Sequence, residues 1–431
     1  MWVKVDRILS DNREVSMQIF SNILRVYVRG VLSVLLVLVC AMPALDAQQR
    51  EGSTSGLQFR FEQREGDRYR IVGEIEQDVF INGVYSHSAR ILNRIASEVV
   101  SADADGADIV STFVLSEQAI QSGRVYEWGR EYESEFYRSA LGVYDISDEY
   151  YMPVVRDVPV FPERSLSPGE TWSAPGHEAH DLRVPFGIED AFRFPMPVNY
   201  EYRGPTGEGL HEIGIRYNVF FRPSQRYNAP VYPVMITGYA DQTLFWSADE
   251  GLPDSYEEEY VFVFFMNDGS SVRYEGTADA EVIEAERLNR AEVVEDIQRD
   301  LEELGLEDDS VREDDRGVTI SLNTIQFPPD SARLMDTERE KLREIAPILQ
   351  RYPDNDILIT GHTALAGSEE HRQQLSDARA RVVGEYLLEL GIRDPGRITF
   401  QGMGAREPVA PNDTEAQRRL NRRVEITILD N

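Results

Sequence analysis

From Leu57 onward the chain alternates. In "GLQFRFEQREGDRYRIVGEIEQDVFINGVY" apolar and polar side chains take turns around two turn signals, Glu65-Gly66-Asp67 and Asn82-Gly83. A two-residue period is that of strands with one covered face. "HEIGIRYNVFF" sets Ile213, Ile215, Tyr217, Val219 and Phe221 on one side of an extended segment. "EEYVFVFFMNDGSSVRYEG" reads as two strands joined through Asn267-Asp268-Gly269, and Pro168-Gly169 in "SPGETW" fit a type II turn. The pattern predicts a β-rich antiparallel region over residues 48–285, built as a meander, curved sheet or sandwich. The proline-rich stretch from Pro153 to Pro197 marks a candidate division into two subdomains.

The period changes at residue 286. Leu288, Ala291, Val294, Ile297, Leu301 and Leu304 recur at three- and four-residue steps, so "ERLNRAEVVEDIQRDLEEL" predicts a helix with one apolar face. The acidic run "LEDDSVREDD" after it reads as a solvated connector, and together they form a helical linker over 286–316. The apolar stripe needs a surface to pack on, which favours the helix as the opening element of the next domain. From Gly317 strands and helices alternate: "GVTISLNTIQF", "DILITGHT", "RITFQGMG" and "RRVEITIL" are strands, "TEREKLREIAPILQRYP" and "EEHRQQLSDARARVVGEYLLELG" helices. In the second helix Leu375, Ala378, Val382, Tyr386 and Leu390 make the predicted buried stripe. Residues 317–431 therefore predict an α/β domain with helices on one face of a small mixed sheet, and the chain is multidomain.

The first 47 residues differ from both regions. Arg25 and Arg29 precede an apolar run from Val31 to Ala41, and small residues follow at Ala44 and Ala47. That order predicts a secretory signal peptide over 1–47, with Met17 as an alternative start. The run is too short for a spanning helix. Cys40, the one cysteine, lies inside it. Bulky Val39 before Cys40 disfavours a lipid anchor and favours cleavage after Ala47, which leaves a mature chain without disulfides.

The formal net charge is −32, from 44 basic and 76 acidic residues. Such a chain lacks the basic footprint of a nucleic-acid binder. Residues 317–431 hold 15 basic and 18 acidic side chains, so most of the acidity lies upstream. "DADGAD" (103–108) lacks the spaced glutamate of a calcium loop and reads as a hairpin turn. "GHEAHDL" sets His177 and His180 three apart with Pro175 and Gly176 beside them, which predicts a loop rather than a zinc helix. Neither a GxSxG elbow nor a phosphate-binding glycine loop occurs, so the sequence predicts no enzyme, no cofactor and no metal. Phe262, Phe264 and Trp246 leave two readings for the β-rich part: plain core, or a wall around an apolar ligand.

Several C-terminal segments occur in a specific order: "IQFPPDSARL", "ITGHT", "LSDARARVV", "GMGAREPVAPNDT" and "RRLNRRVEI". Together they resemble the OmpA-like domain family found in OmpA, the peptidoglycan-associated lipoprotein and MotB, over residues 317–431. The resemblance implies a non-enzymatic envelope protein of the periplasm, outer-membrane associated, that contacts the peptidoglycan stem peptide, usually at diaminopimelate. It assigns Arg379 to the ligand carboxylate, whose geometry the guanidinium fork matches. It places His362, Thr363, Leu375 and Arg423 around the same groove, with "NRRV" bordering it. Two positions depart from the family pattern. Ala364 stands where the family has Asp, and Arg372 where it has Asn, so the groove loses an anion and gains a cation. A charge-assisted hydrogen bond of this kind is worth about 1.5–3 kcal/mol, one to two decades in affinity. Glu369, Glu370 and Asp330 are the candidate replacements. The alternative is a scaffold that has lost the wall and binds an envelope protein partner.

Overall fold

The computed structural model describes residues 56–430 apart from 119–123, 208, 285–287, 307–308, 324 and 329. The predicted signal peptide, Cys40 and the cleavage position Ala47 lie outside the described residues. Among the described residues twelve strands form the β-rich part. The first five are β1 (Arg68–Ile81), β2 (Val84–Ala102), β3 (Gly106–Gln118), β4 (Tyr126–Ser139) and β5 (Tyr144–Ile146). Then come β6 (Val155–Arg156), β7 (Thr171–His180), β8 (Phe192–Pro205), β9 (His211–Phe221), β10 (Pro233–Ser247), β11 (Leu252–Met266) and β12 (Ser271–Glu284). All pair antiparallel in the order 5-4-3-2-1-12-11-10-9-8-7-6, so the first and last long strands meet at the centre. The β1–β2 turn needs two left-handed residues and has them in Asn82 (φ 51°) and Gly83 (φ 80°). Gly169 (φ 86°) supplies the third position of the predicted type II turn, closed by Glu170 N–H donating to Ser167 O at 3.0 Å. In "DADGAD" the Asp103 carboxylate accepts from the backbone N–H groups of Asp105 and Gly106, an Asx turn between β2 and β3.

Most inward faces of these strands meet in one large apolar cluster that runs from Phe59 to Ala280, and a small second one joins Tyr69, Val99, Ala107, Ile109 and Phe136. The proline-rich stretch is part of the large one, through Met152, Val154, Phe161, Phe192 and Met196, so it does not divide two cores. The "GHEAHDL" segment is not a loop either: it lies in and just after β7 and pairs with β8. Pro175 faces Pro197 in that ladder, and β6 pairs with β7 only at Glu178 and His177. Nor do the aromatics line a cavity. Trp246 packs edge-on against Phe161 at 4.8 Å and Phe61 at 5.0 Å, and Phe262 and Phe264 are equally enclosed.

That core also buries charge. Glu178 and Glu258 point inward, and His180 lies 2.7 Å from Glu178. Burial, against a hydrogen bond from Gln242 and with repulsion from Glu178, pushes the Glu258 carboxyl up to about 8. Tyr217 and Tyr256 flank the pair, and burial raises both phenols well above their usual range.

The C-terminal part opens with helix α1 (Arg290–Glu303), which packs Val293, Ile297 and Leu301 into a second core. The face is rotated from the predicted one: Ala291 and Leu304 are exposed. The acidic run is not a plain connector, because Ser310–Asp314 forms β13 and pairs with β14 (Gly317–Leu322). Beyond these come α2 (Asp336–Gln350), β15 (Ile357–His362), α3 (Glu369–Glu389), β16 (Ile398–Gly404), α4 (Glu415–Asn421) and β17 (Val424–Leu429). Strand order is 13-14-17-15-16, with β15 and β16 parallel and the other neighbours antiparallel. Apolar side chains of α1, α2 and α3 join Val318, Ile320, Ile359 and Ile426 from the strands.

The two parts share one sheet. Strand β4 adds to the edge of β16 in parallel, pairing Tyr126 with Thr399 and Glu127 with Phe400. Val125 enters the C-terminal core, and Arg124 N–H donates to Glu385 at 2.9 Å. Below this seam Asp356, 1% exposed, accepts from Arg94 Nε at 2.9 Å and Arg397 Nε at 2.8 Å, with Arg70 Nη1 at 3.5 Å. Burial would raise this carboxyl, but the three guanidinium charges win and hold it below its ordinary value. Arg94 also donates to Gly396 O. Arg70 and Arg94 belong to the β-rich part, Asp356 and Arg397 to the C-terminal part.

Candidate functional site

The predicted site lies where β15 ends, at the loop 363–368 and the first turns of α3. Two glycines allow α3 to sit close against the sheet there. A Cβ on Gly361 would lie 2.3 Å from Ser376 O, and one on Gly402 would lie 2.3 Å from Asp377 Oδ1. Ser376 completes the contact by accepting from Gly404 N–H at 2.9 Å. Ser368 caps the helix, its hydroxyl accepting from His371 N–H. The buried residues of α3 are Ser376, Arg379, Ala380, Val383, Gly384, Tyr386, Leu387 and Leu388. Of the predicted stripe only Tyr386 is fully buried; Leu375, Ala378, Val382 and Leu390 are half-buried.

Arg379 is therefore enclosed rather than set beside the stripe. Its Nε donates to Ser331 O at 3.0 Å and its Nη2 to Pro328 O at 3.3 Å, and its guanidinium lies 5.0 Å from the Phe327 ring. Burial, with the Arg422 charge adding and Asp330 opposing, pulls its pKa down to about 10. Asp330 holds a left-handed backbone (φ 48°) and reaches His371 Nε2 at 3.5 Å. Of the three candidate carboxylates Asp330 is the one whose charge acts on Arg379; Glu369 and Glu370 lie in the exposed first turn of α3.

Ala364 is buried, and its methyl offers no acceptor. Arg372 turns back to donate to Gly367 O at 2.6 Å, so it braces the loop. Thr363 is fixed by its backbone N–H donating to Gly404 O at 2.7 Å, while its buried hydroxyl has no hydrogen-bond partner among the described residues. His362 lies on the sheet with ring nitrogens 3.5 Å from Glu425 and 4.0 Å from Glu407. Glu425 also accepts from Arg423 Nε at 2.8 Å and Arg312 Nη2 at 2.9 Å. Burial pushes this carboxyl up, but His362, Arg312 and Arg423 outweigh it and hold it far below the carboxylate range. Arg423 is thus committed to a buried ion pair. Its neighbour Arg422, paired with Glu415 at 2.5 Å, is the one whose charge acts on Arg379.

Asparagines fix the rim. Asn421 accepts from Val409 and Ala410 N–H and donates to Ala410 O and Asn412 Oδ1. Asn412 Oδ1 in turn accepts from Leu365 N–H at 3.0 Å. Hydrophobic pattern does not single out Asn421 or Asn412. The "PND" and "LNR" turn chemistry is the signal that points to them.

Residues 326–422 match the OmpA family, and this part of the chain belongs to it. The region upstream matches no family. Among relatives, outer membrane porin F of Pseudomonas fluorescens is 35% identical over 104 residues, 24% of this chain and 32% of that protein. Peptidoglycan-binding protein ArfA of Mycobacterium tuberculosis is 38% identical over 104 residues, again 24% and 32%. A solved structure, the cell wall anchor of the T6SS from Pseudomonas aeruginosa, is 28% identical, covering 34% of this chain and all of that one, with a TM-score of 0.28. The chain spans between about a third and a half of the curated relatives it matches. Among the described residues no helix is long and apolar enough to cross a membrane, and no group of three metal-binding side chains converges.

Proposed function

We propose that this is a non-enzymatic cell-envelope protein whose C-terminal domain contacts peptidoglycan through an altered groove. The observation that carries the reading is the OmpA-family match over 326–422, which includes Arg379 on α3. In this proposal Arg379 and Arg422 meet a stem-peptide carboxylate, with His362, Thr363 and Leu375 forming the wall and Arg423 holding Glu425 behind it. Asp330 takes the part of the missing carboxylate at Ala364, because its charge acts on Arg379 and it reaches His371 of α3 at 3.5 Å. The organisation proposed with it is a leader over 1–47, a β-rich domain over 48–285, a linker over 286–316 whose helix joins the C-terminal core, and the wall-contacting domain over 317–431. The location proposed is the periplasm, at the outer membrane, as the relatives' names suggest.

The test is co-sedimentation of the full chain with purified sacculi. Wild type pellets, Arg379→Ala and Asp330→Asn each weaken the binding about tenfold or more, and Ala364→Asp tightens it by one to two decades. A wild type that stays in solution, brought down only by Ala364→Asp, refutes wall contact and leaves the protein-partner reading.

A further inference from the structure

The outer face of strands β2, β1, β12, β11, β10 and β9 changes character along its length. At one end it carries Glu74, Glu76, Glu257, Glu259, Asp241 and Asp279. At the other it carries a single cross-strand row: Tyr85 opposite Phe80, then Arg273, Val263, Thr237 and Phe220. Phe80, Arg273, Val263, Thr237 and Phe220 alternate with the buried Val79, Val272, Phe264, Ile236 and Val219, and Tyr85 meets the Phe80 ring at 5.7 Å, so the row faces out. Phe220 is 71% exposed and Tyr85 54%, and Val84, Val234 and Phe265 extend the apolar surface toward the turns. Five inter-strand steps of about 4.8 Å make the band roughly 24 Å wide.

We infer that this band docks on a phospholipid surface, with the rings at the headgroup–acyl boundary. The shape of the band argues for a plane rather than a pocket-forming partner: Tyr85, Phe80, Val263 and Phe220 share one level across the six strands, with Arg273 and Thr237 between them. Only about 13 Å separates Val263 from Glu259 along β11, a polarity step as steep as that of a bilayer interface. Aromatic side chains favour that boundary, where an apolar body and a polar rim are both satisfied. Charge complements it as well. On a chain of net charge −32, the cations here are set on the rings: Arg222 lies 5.4 Å over Phe220, placed to meet lipid phosphates, and Arg273 lies 3.9 Å over Phe80 while pairing with Glu275 at 3.2 Å. The overall negative charge selects a zwitterionic surface over an anionic one, and the carboxylates along the same strands stop the domain from sinking further.

The experiment uses the full chain with Cys40→Ser and an environment-sensitive fluorophore at Tyr85→Cys, Phe220→Cys or Glu257→Cys, added to phosphatidylcholine vesicles with brominated acyl chains. Labels at 85 and 220 shift to the blue and are quenched; the label at 257 stays aqueous, which separates this contact from anything the apolar N-terminal segment does. Phe220→Ser with Phe265→Ser lowers quenching at position 85 by about tenfold or more, while the melting curve keeps its shape. Aqueous spectra at all three positions, or equal quenching at all three, overturn the inference. So does a blue shift at 85 and 220 that grows with protein concentration in the absence of lipid, which would make the band a contact between copies.

Discussion

Asp356 joins the two parts of the molecule, and its removal gives a measurable result. In Asp356→Asn the side chain keeps its shape but loses its charge, while Arg70, Arg94 and Arg397 remain where they are. Arg70 and Arg94 are both under 9% exposed, so water cannot take over. Breaking a buried pair from one side costs about 3–5 kcal/mol, chiefly the charge left uncompensated. The loss falls on the seam, because two of the arginines lie in the β-rich part. Urea unfolding of the full chain, followed by tryptophan fluorescence and by hydrogen exchange at 357–362 and 398–404, should show the C-terminal sheet opening earlier than the β-rich core. Adding Arg94→Met should recover part of the loss, since a double change removes the orphaned charge with its partner. Acid offers a second readout. The folded carboxyl titrates below its ordinary value of 3.8, so its contribution is complete above that value and fades as pH falls through the folded pKa. A loss under about 1 kcal/mol, the scale of an exposed pair, would refute the reasoning.

Glu258→Gln should stabilise the β-rich core in alkali. The carboxyl rises from 4.5 unfolded to about 8 folded, so wild type loses roughly 4 kcal/mol between those pH values and the variant does not. Thermal melts at pH 4.5 and pH 8 check this: equal stability at the lower pH and a clear gain at the higher. Asn421→Ala leaves the Val409 and Ala410 N–H groups without their acceptor, at about 1–3 kcal/mol each if they stay dry. Faster amide exchange at 409–412 and at Leu365 is the expected sign. Gly361→Ala drives a methyl toward Ser376 O and should lift α3 from β15, costing about 1–3 kcal/mol in chemical denaturation.

What the sequence made legible was mostly local. The Asn82-Gly83 and Asn267-Asp268-Gly269 turns and the alternating strands follow from backbone sterics and a covered face, both written within a few residues. The OmpA-like segments were legible because their glycines and turn residues answer to close packing at Gly361 and Gly402. The face of α3 differs from its apolar period because two of its buried residues are polar. Ser376 and Arg379 can be buried since Gly404 N–H and the carbonyls of Ser331 and Pro328 meet them, and a hydrophobic period does not register such partners. β13 hid in an acidic run because an edge strand can leave its carboxylates in water, while Arg312 reaches across to Glu425. The Asp356 cluster draws on positions more than 250 residues apart in the chain, and nothing in either segment announces the other.

The continuity of β4 with β16 has a mechanical meaning. Helix α1 is spent on the C-terminal core, and the next strand upstream ends at Glu284, so only a handful of residues are left to act as a tether. A domain held by a long leash can search a volume and turn freely; one that shares a sheet with its neighbour cannot. Any load taken up at the groove passes along α3 to Glu385 and the seam, and reaches the β-rich part without slack. The molecule behaves as a bracket, fixing both the stand-off and the angle between whatever its two ends hold.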